Sequence, residues 1–164
     1  MTYARIWRGR WNAMAKEIMD FERCKKEFIR KVDKDMEKIK SILKMAEIEL
    51  GIISSIEVNA NTASKLSKDY YEIVKELLTA LLLSYGLKSS NHECLVSFLK
   101  TKYPQHEHET KIIHELKNIR NRVSYDGYFV GEDYITKNKT EFSHIINLLK
   151  KLIKESVLNL GQSD

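Results

Sequence analysis

The sequence predicts an all-α protein, a bundle of five or six helices, and three observations lead to that fold class. Apolar residues recur at three- and four-residue steps over most of the chain, the period of a helix with one buried face. A single Pro and only six Gly leave few positions that break a helix. The 164 residues, 43% hydrophobic and 31% charged, suit one soluble domain able to bury a core.

Taken in order, Met14, Ile18, Phe21, Phe28, Val32, Met36, Ile39, Leu43, Ala46 and Leu50 keep close to the helical period until Gly51. They predict one very long helix or two in succession. A single helix of that span would be about 55 Å long at roughly 1.5 Å per residue, longer than a compact domain is wide. A break is therefore expected near Arg30 to Asp33. The stretch from Glu57 to Ser64 has turn and cap chemistry, with Asn61 or Thr62 expected to cap the next helix. That helix runs to Tyr85 on a stripe of Leu66, Tyr70, Ile73, Leu77, Leu81 and Tyr85. It broadens into the nearly all-apolar run Leu77 to Leu83, which marks it as the central core helix.

Gly86 stands where a helix end needs a left-handed residue. Ser90, Asn91, His92 and Glu93 then form a capping box, Ser90 and Glu93 exchanging hydrogen bonds, and a short helix with Leu95, Phe98 and Leu99 ends before Pro104. The following helix carries Ile112, Leu116, Ile119 and Val123, and Asp126 and Gly127 close it. Residues Tyr128 to Lys139 read as a loop with a short strand-like hairpin. The last helix buries Phe142, Ile145, Leu149, Leu152 and Val157.

The net charge of +5 and a pI near 9.1 permit contact with phosphate, although cations and anions are interspersed along most of the chain. Cys24 and Cys94 have no metal or CxxC spacing, so both are expected as unpaired packing residues in a reducing, cytoplasmic setting. No run approaches the roughly 18 apolar residues of a membrane span. The basic, aromatic beginning, with Tyr3, Arg5, Trp7, Arg8, Arg10 and Trp11, either stacks on bases or packs its tryptophans on the bundle.

Catalytic chemistry is sparsely signalled. His106, His108 and His114 are close in sequence but lack the ligand set of a structural zinc site, and are expected as solvated loop residues; neither a metal nor another cofactor is expected. His92 reads as part of the capping turn and His144 as a polar-face residue with no evident partner. A Gly-x-Ser-x-Gly elbow and a glycine-rich phosphate loop are both missing from the sequence.

The remaining constellation is Arg120, Asn121, Arg122 and Tyr125, with Tyr128 beyond it. Asn121 and Tyr125 lie one turn apart on a helix face, whereas Arg120 and Tyr125 are separated by about 140° at about 100° per residue. Both would meet one phosphate if the helix loosened at Asp126 and Gly127. In the alternative, Arg120 pairs with an acid such as Glu115 or Glu76 and Asn121 caps the helix.

These residues carry a resemblance to the HEPN superfamily of small helical nucleotide-binding and RNA-cleaving domains. The run Lys68 to Gly86 resembles the family's second helix and its ending, Ser89 to Glu93 its Ser-His-Glu segment, and Ile119 to Tyr125 its Arg-Asn motif. The likeness covers roughly residues 34 to 158. It implies an N-terminal helical extension over residues 1–33 and a HEPN-like helical bundle over 34–164. It also implies a homodimer with the motif helices at a shared cleft, and as partners RNA, a nucleotide, a nucleotidyltransferase or an antitoxin protein.

By position, Arg120 would bind phosphate, Asn121 would orient substrate, and Tyr125 stands where the family has its catalytic His. A phenol with a pKa near 10 is a poor proton acceptor at neutral pH, whereas an imidazole near 6.5 is a good one. The sequence therefore reads as a HEPN-like module, catalytically impaired, that binds nucleotide, RNA or a protein partner through Arg120, Asn121, Arg122, Tyr125 and Tyr128. One alternative is an active metal-independent endoribonuclease of toxin-antitoxin or antiviral type, with Arg120 as phosphate ligand and, as proton donor, Tyr125 or else His114 or His144 brought by a partner subunit. Another is a helical oligomerisation scaffold.

Overall fold

A computed structural model describes residues 17–160, and the basic aromatic segment with Tyr3, Arg5, Trp7, Arg8, Arg10 and Trp11 lies outside them. The described chain is an all-α bundle with one small two-stranded antiparallel sheet. Helix α1 spans Phe21–Glu27, strand β1 Ile29–Lys31, α2 Met36–Ser54, α3 Ala63–Ser84 and β2 Leu87–Ser89. Helix α4 follows at His92–Lys102, then a 3-10 turn at Pro104–His106, α5 at Glu107–Asp126 and α6 at Glu132–Leu160. No helix among the described residues is long and apolar enough to cross a membrane.

In its described part the segment from Met14 forms two helices, α1 and α2, and the break expected near Arg30 to Asp33 falls there, at β1 and the loop that leads to Asp35. Asp20 caps α1 by accepting from the Arg23 amide at 3.2 Å, and Asp35 caps α2 by accepting from the Lys38 amide at 3.0 Å. Between them the backbone turns to strand pairing, and Val32 reaches the core from a loop. Helix α2 also continues through Gly51 to Ser54, because Ile53 adds another buried side chain one half-turn later. A mid-helix Gly costs about 1 kcal/mol against Ala, which such burial offsets.

Strands β1 and β2 pair antiparallel with Ile29 opposite Ser89, Arg30 opposite Lys88 and Lys31 opposite Leu87. The Ser90 amide extends the pairing to the Phe28 carbonyl at 3.0 Å. Cys24 and Cys94, expected to be unpaired, instead form a disulfide between α1 and α4, with Cα atoms 5.6 Å apart and both residues fully buried. The segment before residue 34 is thus joined to the bundle by a covalent bond and by strand pairing.

Helix α3 is the centre. It packs against α2, α4, α5, α6 and β2, and Leu66, Tyr70, Ile73, Val74, Leu77, Leu78, Leu81 and Leu82 are all buried. Its entry is built differently from expectation. Thr62 occupies the cap position but donates its hydroxyl to the Glu57 carbonyl at 2.6 Å, while Asn59 Oδ1 accepts from the Asn61 and Thr62 amides at 2.9 and 3.1 Å. Its exit follows expectation, with Gly86 at φ +68° and its carbonyl accepting from the Val32 amide at 2.9 Å.

Ser90 is not the cap of α4. Asn91 is, accepting from the Glu93 amide at 2.9 Å, and the Glu93 carboxylate turns to another helix. Helix α5 ends as expected at left-handed Gly127, where the Arg122 carbonyl accepts from Gly127 and, at 3.3 Å, from Tyr128. The strand-like hairpin expected over Tyr128 to Lys139 does not form. A short loop, pinned by the Val130 amide donating to Ser64 Oγ at 2.8 Å, leads into α6 at Glu132. Tyr134 and Ile135 are already buried there, which draws the helix start forward.

His106 lies on the 3-10 turn, and His108 and His114 lie on α5, so they are not loop residues. His108 faces Glu141 at 3.4 Å and His144 faces Glu109 at 3.7 Å, two pairs that link α5 to α6 and give His144 a partner.

Two outcomes test this architecture. The disulfide closes a loop with a sequence separation of 70, so replacing both Cys24 and Cys94 by Ala should lower unfolding stability by about 2–4 kcal/mol in a denaturant titration; an unchanged midpoint would show the bond to be absent in solution. At Gly86 an added Cβ would sit 3.2 Å from the Val32 carbonyl oxygen at a positive φ, so Gly86→Ala should cost about 1–2 kcal/mol by the same measurement.

Candidate functional site

Three helices meet around a cavity of about 280 Å³ lined by Tyr71 from α3, Ser90 to Glu93 from the start of α4, and Lys117, Arg120, Asn121 and Tyr125 from α5. Lys117, Asn121 and, one step aside, Arg120 follow the three- and four-residue spacing that puts side chains on neighbouring turns. Packing of α5 on both α3 and α4 turns this face inward.

Arg120 is the hub. Its Nε and Nη2 donate to Glu72 Oε1 at 3.2 and 2.9 Å, and Nη1 donates to Asn121 Oδ1 at 3.3 Å. The guanidinium carbon lies 5.9 Å from the centre of the Tyr71 ring. A guanidinium has five N–H donors in a rigid fork; these bonds use three of them and leave two for Tyr125 and for a ligand. Burial works against the charge on Arg120, but a hydrogen bond with the Tyr125 hydroxyl and the Glu72 carboxylate outweigh it and raise its pKa.

Glu72 is shared. Besides Arg120 it holds Lys75, one turn along α3. Burial pushes the Glu72 carboxyl up, but Lys75 and Arg120 together hold it below the usual carboxylate range. Neither Glu115 nor Glu76 is the partner of Arg120. Glu115 has its carboxyl pushed up by burial, and Glu76 lies 3.7 Å from Lys75.

Lys117 is 2% exposed, and its ammonium donates to Glu93 Oε1 at 3.1 Å. A buried charge is tolerated when it is paired in this way. The pair fixes the start of α4 against α5 and so sets His92 at the cavity. Loss of hydration lowers the His92 pKa, as do the nearby Lys75 and Arg120, against an opposing pull from Glu72 and Glu76. His92 therefore stands neutral at pH 7, with an imidazole able to take a proton. Burial also pushes the Tyr71 phenol up, keeping it a hydrogen-bond donor.

The five residues singled out from sequence divide into two groups. Arg120, Asn121 and Tyr125 line one cavity, although α5 remains regular through Asp126 and does not loosen. The length of the Arg120 side chain, rather than a distorted backbone, closes the angle between Arg120 and Tyr125. Arg122 and Tyr128 do not line the cavity; they stack on each other, with the guanidinium 4.1 Å from the ring centre. The return of the chain at Gly127 brings Tyr128 over Arg122.

His114 and His144, the imidazoles considered from sequence, are not among the lining residues, whereas His92 is. Sequence reasoning assigned His92 to a capping turn and missed Glu72, Tyr71, Glu93 and Lys117. The one signal in the sequence was the Ser-Asn-His-Glu segment itself, whose proximity to Arg120 depends on how α4 packs on α5. Among the described residues no group of three or more His, Cys, Asp and Glu is arranged to hold a metal ion. Comparison with protein-family models, with curated proteins and with solved structures returned no match.

Proposed function

We propose that the chain is a HEPN-like module that binds the phosphate of a nucleotide or RNA in the cavity at Arg120, Asn121 and Tyr125. The observation that carries this reading is the partly used Arg120 fork, held in place by Glu72, Asn121 and Tyr125 with one N–H left over at a cavity wall. A preoriented guanidinium loses little freedom when it receives an anion, and its charged N–H donates strongly to a phosphate oxygen. Asn121 holds the fork, and exposed Tyr125 offers both a hydroxyl and a ring on which a base can stack. The resemblance of Lys68 to Gly86, Ser89 to Glu93 and Ile119 to Tyr125 to the HEPN superfamily supports the same reading. With the two cysteines paired, they give no support to a cytoplasmic location, and the proposal carries no compartment.

His92 favours a second reading, cleavage of RNA without metal. In that reaction the neutral His92 imidazole takes the proton of a ribose 2′-hydroxyl, and the 2′-oxygen bonds to the adjacent phosphorus. The bond from phosphorus to the 5′-oxygen breaks as that oxygen takes a proton from the Tyr125 hydroxyl. Arg120 faces the negative charge that builds on the phosphoryl oxygens. Tyr125 thus acts as a donor and His92 as the acceptor, which answers the absence of a His at position 125.

Arg120→Ala should weaken binding of a single-stranded RNA at least tenfold in a fluorescence anisotropy titration while the fold persists, because Glu72 keeps Lys75 as its counter-ion. Undiminished affinity would remove Arg120, and with it the proposed site. If the protein cleaves RNA in the presence of a chelator, His92→Ala should abolish cleavage but not binding. Because His92 is unprotonated to lower pH than a free imidazole, the acid limb of the rate profile should fall below pH 6.5. Rates that decline already above that value would exclude His92 as the base.

A further inference from the structure

A second cavity, of about 250 Å³, adjoins the first and is lined by Lys26, Glu27, Phe28, Ile29, Arg30, Lys88, Ser89 and Ser90. Ser90 lines both cavities, and its N–H donates to the carbonyl of Phe28, which lines the second. Three cations reach the second cavity from three different elements: Lys26 from α1, Arg30 from β1 and Lys88 from β2. The one acid there, Glu27, is engaged at 3.2 Å by Arg23. No ion pair joins Lys26, Arg30 or Lys88 to an acid among the described residues.

The placement of Arg30 and Lys88 is unfavourable without a ligand. They are direct cross-strand partners and both exposed, and like charges directly opposite each other destabilise a ladder. The pair sits on one face of the two-stranded sheet, where a polyanion would neutralise both at once. The first cavity alone offers a weaker field, because Lys117 is paired with Glu93 and Arg120 with Glu72. Tyr125, which also lines the first cavity, is 76% exposed.

We propose that the two cavities form one continuous track for single-stranded RNA, in which the Lys26, Arg30 and Lys88 groove carries phosphates next to the one held at Arg120. The ligand of the site is then an oligonucleotide rather than a mononucleotide. Grooves of cations beside exposed aromatic rings are the usual construction for single strands, with phosphates tracking the charge and a base stacked on the ring. The inference rests on the reading of Arg120 as a phosphate site and extends it.

The test compares the full chain with Arg30→Ala/Lys88→Ala, using a single-stranded RNA of about 12 nucleotides, within the footprint such grooves cover, and a nucleoside 5′-monophosphate as competitor. The ratio of the affinity for RNA to that for the mononucleotide should fall at least tenfold in the variant. The slope of log affinity against log salt should shrink by about 1.4, at about 0.7 for each phosphate that the variant no longer neutralises. An unchanged ratio and slope would overturn the track while leaving the Arg120 site standing. Wild-type protein that binds neither ligand would sink the Arg120 reading itself. Polyglutamate competing as well as RNA would transfer the groove to an acidic protein partner and overturn the proposal. Melting of the ligand-free variant is expected to hold or rise, since a repulsive pair is removed; if it falls, Lys26→Ala on α1 provides the same comparison without touching the strand pair.

Discussion

The enclosure of α3 is the constraint on which the rest of the molecule depends. Fourteen of its 22 residues are buried, and full burial of each large aliphatic side chain contributes about 1.5–3 kcal/mol. No helix can bury so much surface against one neighbour, so α2, α4, α5 and α6 must surround it on several sides. That requirement brings α4 and α5 together on one flank. The cavity around Arg120 is a result of that arrangement, with α3 contributing Tyr71 and Glu72 from its outer edge.

The helices that could be read from sequence are those whose ends are marked chemically. Gly86 and Gly127 both adopt the left-handed conformation expected of them, and Pro104 opens a new turn after α4. The stripe of α3 and the buried face of α6 were also legible, because long amphipathic runs declare their period. The strand pair was not. Its strands have three residues each, too few to display an alternation, and their partners are far apart in the chain. Nor could the cysteine pair be read, since pairing is decided by the approach of α1 to α4 and not by spacing.

The site divides along the same line. Arg120, Asn121 and Tyr125 lie within six consecutive residues of one helix, and local sequence was enough to group them. Their partners come from other helices. Glu72 and Glu76 stand one turn apart on α3 and are equivalent by sequence; only the axial register between α3 and α5 selects Glu72. His92 was hidden for a related reason, because a polar residue at the first turn of a helix is most simply explained by capping. The bond between Lys117 and Glu93 turns that capping segment into a cavity wall, and a buried lysine is visible only once the packing is known.

The Cys24–Cys94 bond has a consequence for exchange with the surroundings. Both sulfurs belong to residues with no accessible surface, so a thiolate from solvent has no line of attack while α1 stays seated on α4. Reduction must wait for that seam to part, and its rate is scaled down by the small fraction of molecules in which it is open. The covalent state of the chain then records the conditions under which it folded, and it persists after those conditions have changed.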